Sequence, residues 1–167
     1  MTLTYRAINA CLVLLAITAT VIAIGYLQLT VGLDPCPLCI FQRIGLWIMA
    51  MFALLAVVFN PRNQAIRWVL WLGSMAGTLW GLSVAMRHTW LQYSPAAVPS
   101  CGPGLDYWMQ TLPPTEVLSV VLAGNGDCAH IDWTLLGLSI PAWTMALFIV
   151  ILVILLKLLG NIIKNQP

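Results

Sequence analysis

Charge is what this chain has least of. Seven Lys and Arg and five Asp and Glu amount to 7% of 167 residues, against 61% hydrophobic. Soluble domains carry roughly a quarter charged residues, so a soluble globular fold is excluded. The net charge is +2 with no basic cluster, which leaves nothing to neutralise a phosphate backbone and excludes nucleic acid as a partner. No internal repeat and no low-complexity tract occurs. No small-x-small cleavage site cleanly closes the first apolar run, which is also too long for the core of a signal peptide. An uncleaved spanning helix is expected there. A second Cys-x-x-Cys pair is missing as well, so a closed four-ligand zinc site is the weaker expectation and no metal ligands are assigned. Both histidines, His88 and His130, fall in or beside expected loops, which disfavours a haem held within a bundle.

What is present is apolar and long. Mean hydropathy is +0.95, and four intervals, about 7–29, 40–59, 68–86 and 140–157, carry no charge except Arg43 early in the second and Lys157 at the end of the fourth. Each is near the roughly 20 residues that cross a bilayer. Asn60-Pro61 stops the second interval and Arg87-His88 stops the third, while Pro141 suits the first turn of the fourth. The expected fold is an all-α integral membrane protein, a single domain built as a four-transmembrane-helix bundle. Its loops on the far side of the membrane cover about 30–39 and 87–139. The second is long for a loop and rich in Pro and Gly. Within it, Thr115–Leu122 is apolar but too short to span, and a short interfacial helix is expected there.

Basic residues set the orientation. Arg6, Arg62, Arg67, Lys157 and Lys164 flank the N-terminus, the 60–67 loop and the C-terminus. The positive-inside rule makes that side cytoplasmic, with both termini inside. Asp34, Asp106, Glu116, Asp127 and Asp132 all fall on the other side. So do Cys36, Cys39, Cys101 and Cys128, where oxidised pairs persist. Cys11, near the inner end of the first helix, reads as a small hydrophobe.

Cys36-Pro37-Leu38-Cys39 is the chemically informative stretch. A Cys-x-x-Cys bridge closes so small a loop that chain entropy gives it little structural value, and such bridges are more often exchangeable redox centres. Arg43 follows Cys39 by four residues and shares its helical face. A cation there stabilises a thiolate and negative charge building on a bound electron acceptor, although an arginine at a helix end also snorkels to headgroups. His88 stands at the same membrane depth as a hydrogen-bond donor or proton relay, or as an ordinary interfacial residue. Cys101 and Cys128 pair as a loop staple or take part in exchange. The competing reading is a non-catalytic membrane protein with structural disulfides or a metal site.

Several short segments occur in a telling order. They are Cys36-Pro37-Leu38-Cys39 with Arg43, Arg87-His88-Thr89-Trp90-Leu91-Gln92, Cys101-Gly102-Pro103-Gly104-Leu105-Asp106, Gly126-Asp127-Cys128-Ala129, and Leu136-Gly137-Leu138-Ser139-Ile140-Pro141-Ala142-Trp143. With four spans around them, the chain resembles the DsbB family of disulfide bond formation proteins over nearly its whole length. The resemblance implies a protein-disulfide oxidoreductase of the bacterial inner membrane. It would reoxidise a periplasmic thioredoxin-fold dithiol oxidase, DsbA-like, and pass the electrons to a membrane quinone, ubiquinone or menaquinone. By position, Cys101–Cys128 would accept electrons, with Cys101 forming the mixed disulfide. Cys36–Cys39 would reoxidise that pair, Cys39 would lie nearest the quinone ring, Arg43 would support the quinone and His88 would lie in its vicinity. The expected partners are that oxidase, the quinone pool and the lipid bilayer, with the chain acting as a monomer.

Overall fold

The computed structural model describes residues 4–94, 105–124, 126–131 and 133–164. The first helix, α1 (Tyr5–Val21), starts on Thr4, whose hydroxyl accepts from the Ala7 amide at 3.3 Å. It runs on without a break into a π-helical stretch, Ile22–Gln28. Helix α2 (Pro37–Phe59) opens with Pro37, whose fixed φ and missing amide proton suit a first turn. Asn60 closes it in the left-handed conformation at φ 38°, and Pro61 forbids continuation. Helix α3 (Gln64–Tyr93) is capped by the Asn63 side chain, which accepts from the Ala65 amide at 2.9 Å.

Three short helices follow, α4 (Leu105–Thr111), α5 (Pro114–Ala123) and α6 (Gly126–Ala129). The apolar Thr115–Leu122 stretch lies within α5. A hairpin of β1 (Thr134–Leu135) and β2 (Leu138–Ser139) then leads into α7 (Ile140–Lys164). Its two turn residues, Leu136 and Gly137, both have positive φ, as a turn matched to the twist of paired strands requires. Trp143 donates to the Leu135 carbonyl at 3.1 Å and Ser139 to the Gln92 side chain at 2.6 Å, tying the hairpin to α7 and α3.

Four helices, Tyr5–Gln28, Pro37–Phe59, Gln64–Tyr93 and Ile140–Lys164, are long and apolar enough to cross a membrane. The protein is thus the all-α, four-helix membrane protein expected. The third span departs from expectation. Arg87-His88 does not end it, and the loop expected from residue 87 begins only after Tyr93. The cause is local: nothing after Met86 breaks a helix until Pro95, which disfavours helical backbone at the residue before it. The Arg87 guanidinium finds acceptors in the protein, donating at 3.0 Å to the carbonyls of both Leu122 and Ala123 at the end of α5.

Helices α2 and α3 form the closest pair. Gly73, Gly77 and Gly81, spaced four apart, bring the α3 backbone against α2. A Cβ on Gly77 would sit 2.6 Å from the Met49 amide nitrogen, and one on Gly45 would sit 2.8 Å from the Gly81 Cα. Small residues are what let helix backbones approach in lipid, where no hydrophobic force drives them together. Helix α7 packs on the other side of α3, with the Phe148 ring filling the space over Gly81. Helix α1 makes its main contacts with α2 and lighter ones with α7. One apolar core, with Leu12, Met49, Phe148 and Ile151, holds the four spans together. A second, with Leu38, Val84, Leu91, Val117 and Val121, seats α5 and α6 on the end where α2 begins and α3 finishes.

Candidate active site

That end carries the cysteines. Cys36 is the N-cap of α2 and Cys39 lies in its first turn, with the sulfurs 3.3 Å apart. His88, on α3, faces both: Nε2 is 3.7 Å from the Cys36 sulfur and Nδ1 is 3.9 Å from the Cys39 sulfur. Gln42, one turn after Leu38, places its amide 3.0 Å from His88 Nδ1. Both His88 and Gln42 are 3% exposed. A buried imidazole needs its polar atoms met, and here two sulfurs and one amide meet them.

Cys128, in α6, reaches the same place. Its sulfur, that of Cys36 and a ring nitrogen of His88 all lie within 4.8 Å of one another. Cys128 belongs to the second apolar core, with Leu38 and Val121. A cysteine distant in sequence is thereby brought within a small movement of the Cys-x-x-Cys pair, the approach that thiol–disulfide exchange requires. Cys101 lies outside the described residues.

Cys39 also faces the other way. With Gln42 and Arg43 it lines a cavity of about 80 Å³ bounded by Ala23 and Leu27 of the first span and Thr144 and Phe148 of α7. This cavity shares Ala19, Ala23, Leu27, Ile140, Thr144 and Leu147 with a larger one of about 530 Å³ between α1 and α7. Ile22, Tyr26, Trp133 and Trp143 rim the larger space, and Ile22 and Tyr26 are half exposed on the bundle's flank. Arg43 Nη1 donates at 2.7 Å to the Gln28 side chain. Gln28 ends the π-helical stretch, a winding common near functional sites. The result is a fixed cation beside a space walled mainly by apolar side chains.

Cys36, Cys39, Cys128, Arg43 and His88, chosen from sequence, therefore gather at one end of the bundle. His88 is not at a loop edge as expected but buried inside α3, and it lines neither cavity. Two residues were missed, Gln28 and Gln42. Their signal was available, since each is an uncharged polar side chain inside an apolar run, and polar groups at that depth mark functional positions.

The family model described as disulfide bond formation protein DsbB matches residues 5–158. Curated relatives are similar over nearly the whole chain, and each carries the name "Disulfide bond formation protein B". One from Psychrobacter cryohalolentis is 52% identical over 162 residues, covering 96% of this chain and 92% of the relative. One from Acinetobacter baumannii is 49% identical over 158 residues, covering 93% and 91%. One from Chromohalobacter salexigens is 47% identical over 161 residues, covering 95% and 93%.

Proposed function

The chain belongs to the family of disulfide bond formation protein DsbB, and from that premise we propose that it reoxidises a DsbA-like dithiol partner and passes the electrons through two cysteine pairs to a membrane quinone. The position of Cys39 carries this reading. Its sulfur is 3.3 Å from that of Cys36, which has Cys128 nearby, and it also lines the cavity that holds Arg43. One residue thus joins a thiol relay to an apolar pocket on the membrane flank.

Two electrons and two protons move in each round. The partner's dithiol attacks the Cys101–Cys128 disulfide through a mixed disulfide at Cys101, leaving the partner oxidised and that pair reduced. Attack by the reduced pair on the Cys36–Cys39 disulfide restores the first pair and leaves a dithiol at the head of α2. Each attack needs a thiolate. His88, facing both sulfurs, takes the proton released as Cys36 or Cys39 ionises. The pocket suits a quinone: apart from Thr20 and Thr144 its walls are apolar, and Cys39, Gln42 and Arg43 on one turn of α2 bring polar groups to it. A quinone bound there supplies the two-electron, two-proton sink that reoxidises the Cys36–Cys39 dithiol. Arg43, held by Gln28, presents its charge to the pocket and stabilises negative charge developing there.

The same reading sets the orientation. The cysteine end faces the periplasm, α5 lies along the membrane surface beside it, and both termini face the cytoplasm of a bacterial inner membrane. The test is quinone reduction by the purified protein in detergent, driven by a reduced thioredoxin-fold partner. Wild type consumes quinone, whereas Cys36→Ala and Cys101→Ala each abolish turnover while leaving helix content unchanged. Normal turnover by either variant refutes the two-pair relay.

A further inference from the structure

Cys36 at the head of α2, His88 inside α3 and Cys128 in α6 come from three separate stretches of chain. Their ligand atoms nevertheless lie within 4.8 Å of one another, and Cys36 Sγ is 3.7 Å from His88 Nε2. A tetrahedral zinc ion, with Zn–S near 2.3 Å and Zn–N near 2.0 Å, holds its ligand atoms about 3.5–3.8 Å apart. One edge of that tetrahedron already has its bound length, and the others close with movements of about 1 Å or less. We propose that the reduced protein captures one zinc-class ion through Cys36 Sγ, Cys128 Sγ and His88 Nε2.

The donor set supports this class of ion. Two thiolates and an imidazole select soft or borderline cations over magnesium or calcium. A ligating histidine commonly donates its other ring N–H to a fixed acceptor, which orients the ring. Gln42 stands beside Nδ1, with its amide nitrogen 3.0 Å away. On metal binding the amide turns over, so that its oxygen accepts from Nδ1–H and the Nε2 lone pair faces the sulfurs. His88 and Cys128 are 3% and 1% exposed, and Leu38, Val84, Leu91, Val117 and Val121 enclose the cluster. Cys36 is only half buried, which provides the route in and leaves a fourth position for water.

Capture moves no electrons. One ion replaces two thiol protons, forming two metal–sulfur bonds and one metal–nitrogen bond and releasing two protons. A disulfide at either cysteine has no thiolate to offer, so only the reduced site binds. On the proposed function, which this consequence alone depends on, the ion holds the relay reduced and unable to exchange until a chelator removes it.

The experiment uses the full chain in detergent, reduced with a phosphine and titrated with Co²⁺ as spectroscopic stand-in and Zn²⁺ as competitor. The expected result is one Co²⁺ per chain, with thiolate-to-metal charge transfer and the strong visible bands of four-coordination, erased by Zn²⁺. Two protons appear per ion bound. Cys36→Ser, Cys128→Ser and His88→Gln each remove the bands, Gln42→Leu weakens binding about tenfold or more, and Cys11→Ser and Cys101→Ser leave it intact. The unsubstituted protein with its disulfides closed binds nothing, a comparison that misfolding of a variant cannot confuse. Absence of the bands in the reduced wild type overturns the proposal, as does their survival in all three ligand variants or their loss in Cys101→Ser. Neither partner nor quinone is present, so the outcome is separate from that of the turnover assay.

Discussion

Replacing Gly45 with alanine adds a single carbon where α2 and α3 approach most closely. On the existing backbone that carbon would lie 2.8 Å from both the Cα and the amide nitrogen of Gly81, and 2.9 Å from the Gly77 carbonyl oxygen. Non-bonded carbons rest about 3.5–4.0 Å apart, so the helices must separate by roughly 0.7–1.2 Å. The obstacles are backbone atoms, and no rotamer change relieves them. Overpacking of this kind costs about 1–3 kcal/mol, and a backbone obstacle puts it at the upper end. Alanine's helix preference over glycine returns about 1 kcal/mol, leaving a net loss of about 2 kcal/mol. For a chain of this size that lowers Tm by about 4–8 °C, read from tryptophan fluorescence in detergent. Gly160→Ala is the control: a Cβ there meets nothing within 4 Å, so stability stays level or rises. The effect extends to the site, because Cys36 and Cys39 ride on α2 and His88 on α3. Thiol exchange in Gly45→Ala slows as the sulfur–imidazole distances lengthen. A Tm at or above wild type in Gly45→Ala would show that the close approach does not hold the pair together.

Two further substitutions probe the charged groups. Arg43→Ala removes the cation and the partner of Gln28; the loss of a charge-assisted contact worth about 1.5–3 kcal/mol raises the KM for quinone about 10–100-fold. Exchange between the cysteine pairs, followed by thiol trapping, continues in that variant, and an unchanged quinone dependence would assign Arg43 to snorkelling instead. Arg87→Ala frees the Leu122 and Ala123 carbonyls at the end of α5 and weakens its seating by about 1–2 kcal/mol, discounted because one of the two bonds is exposed. Amide hydrogen exchange over Pro114–Ala123 then speeds up about 5–30-fold, and unchanged protection would mean that the apolar contacts of Val117 and Val121 suffice alone.

The four spans were legible because hydropathy over about 20 residues is a sum, insensitive to any one neighbour. The Cys36–Cys39 pair was legible because its chemistry lies in its spacing. The end of α3 was not, because a charge at residue 87 reads as a water boundary unless its acceptors are known. Those acceptors, the Leu122 and Ala123 carbonyls, are 35 and 36 residues away along the chain. The burial of His88 has the same cause: the sulfurs around it come from α2 and α6, and such tertiary contacts leave no trace in the sequence. Gln42 and Gln28 show polarity within apolar runs but not what they hold. The glycines of α3 sit four apart in plain view, yet which helix they admit depends on the tertiary arrangement.

The space between the first span and α7 has Ile22 and Tyr26, both half exposed on a membrane-spanning helix, on its rim. On the proposed function, a quinone arriving there never enters water, and its encounters are lateral collisions in two dimensions. The concentration that governs its arrival is then its mole fraction in lipid, not moles per litre of buffer. Adding detergent or lipid at fixed protein and fixed quinone dilutes the quinone at this opening and slows turnover, while the encounter of the soluble partner with the cysteine end stays three-dimensional and unaffected. The two halves of the reaction obey different concentration scales, and the wall between α1 and α7 is where one gives way to the other.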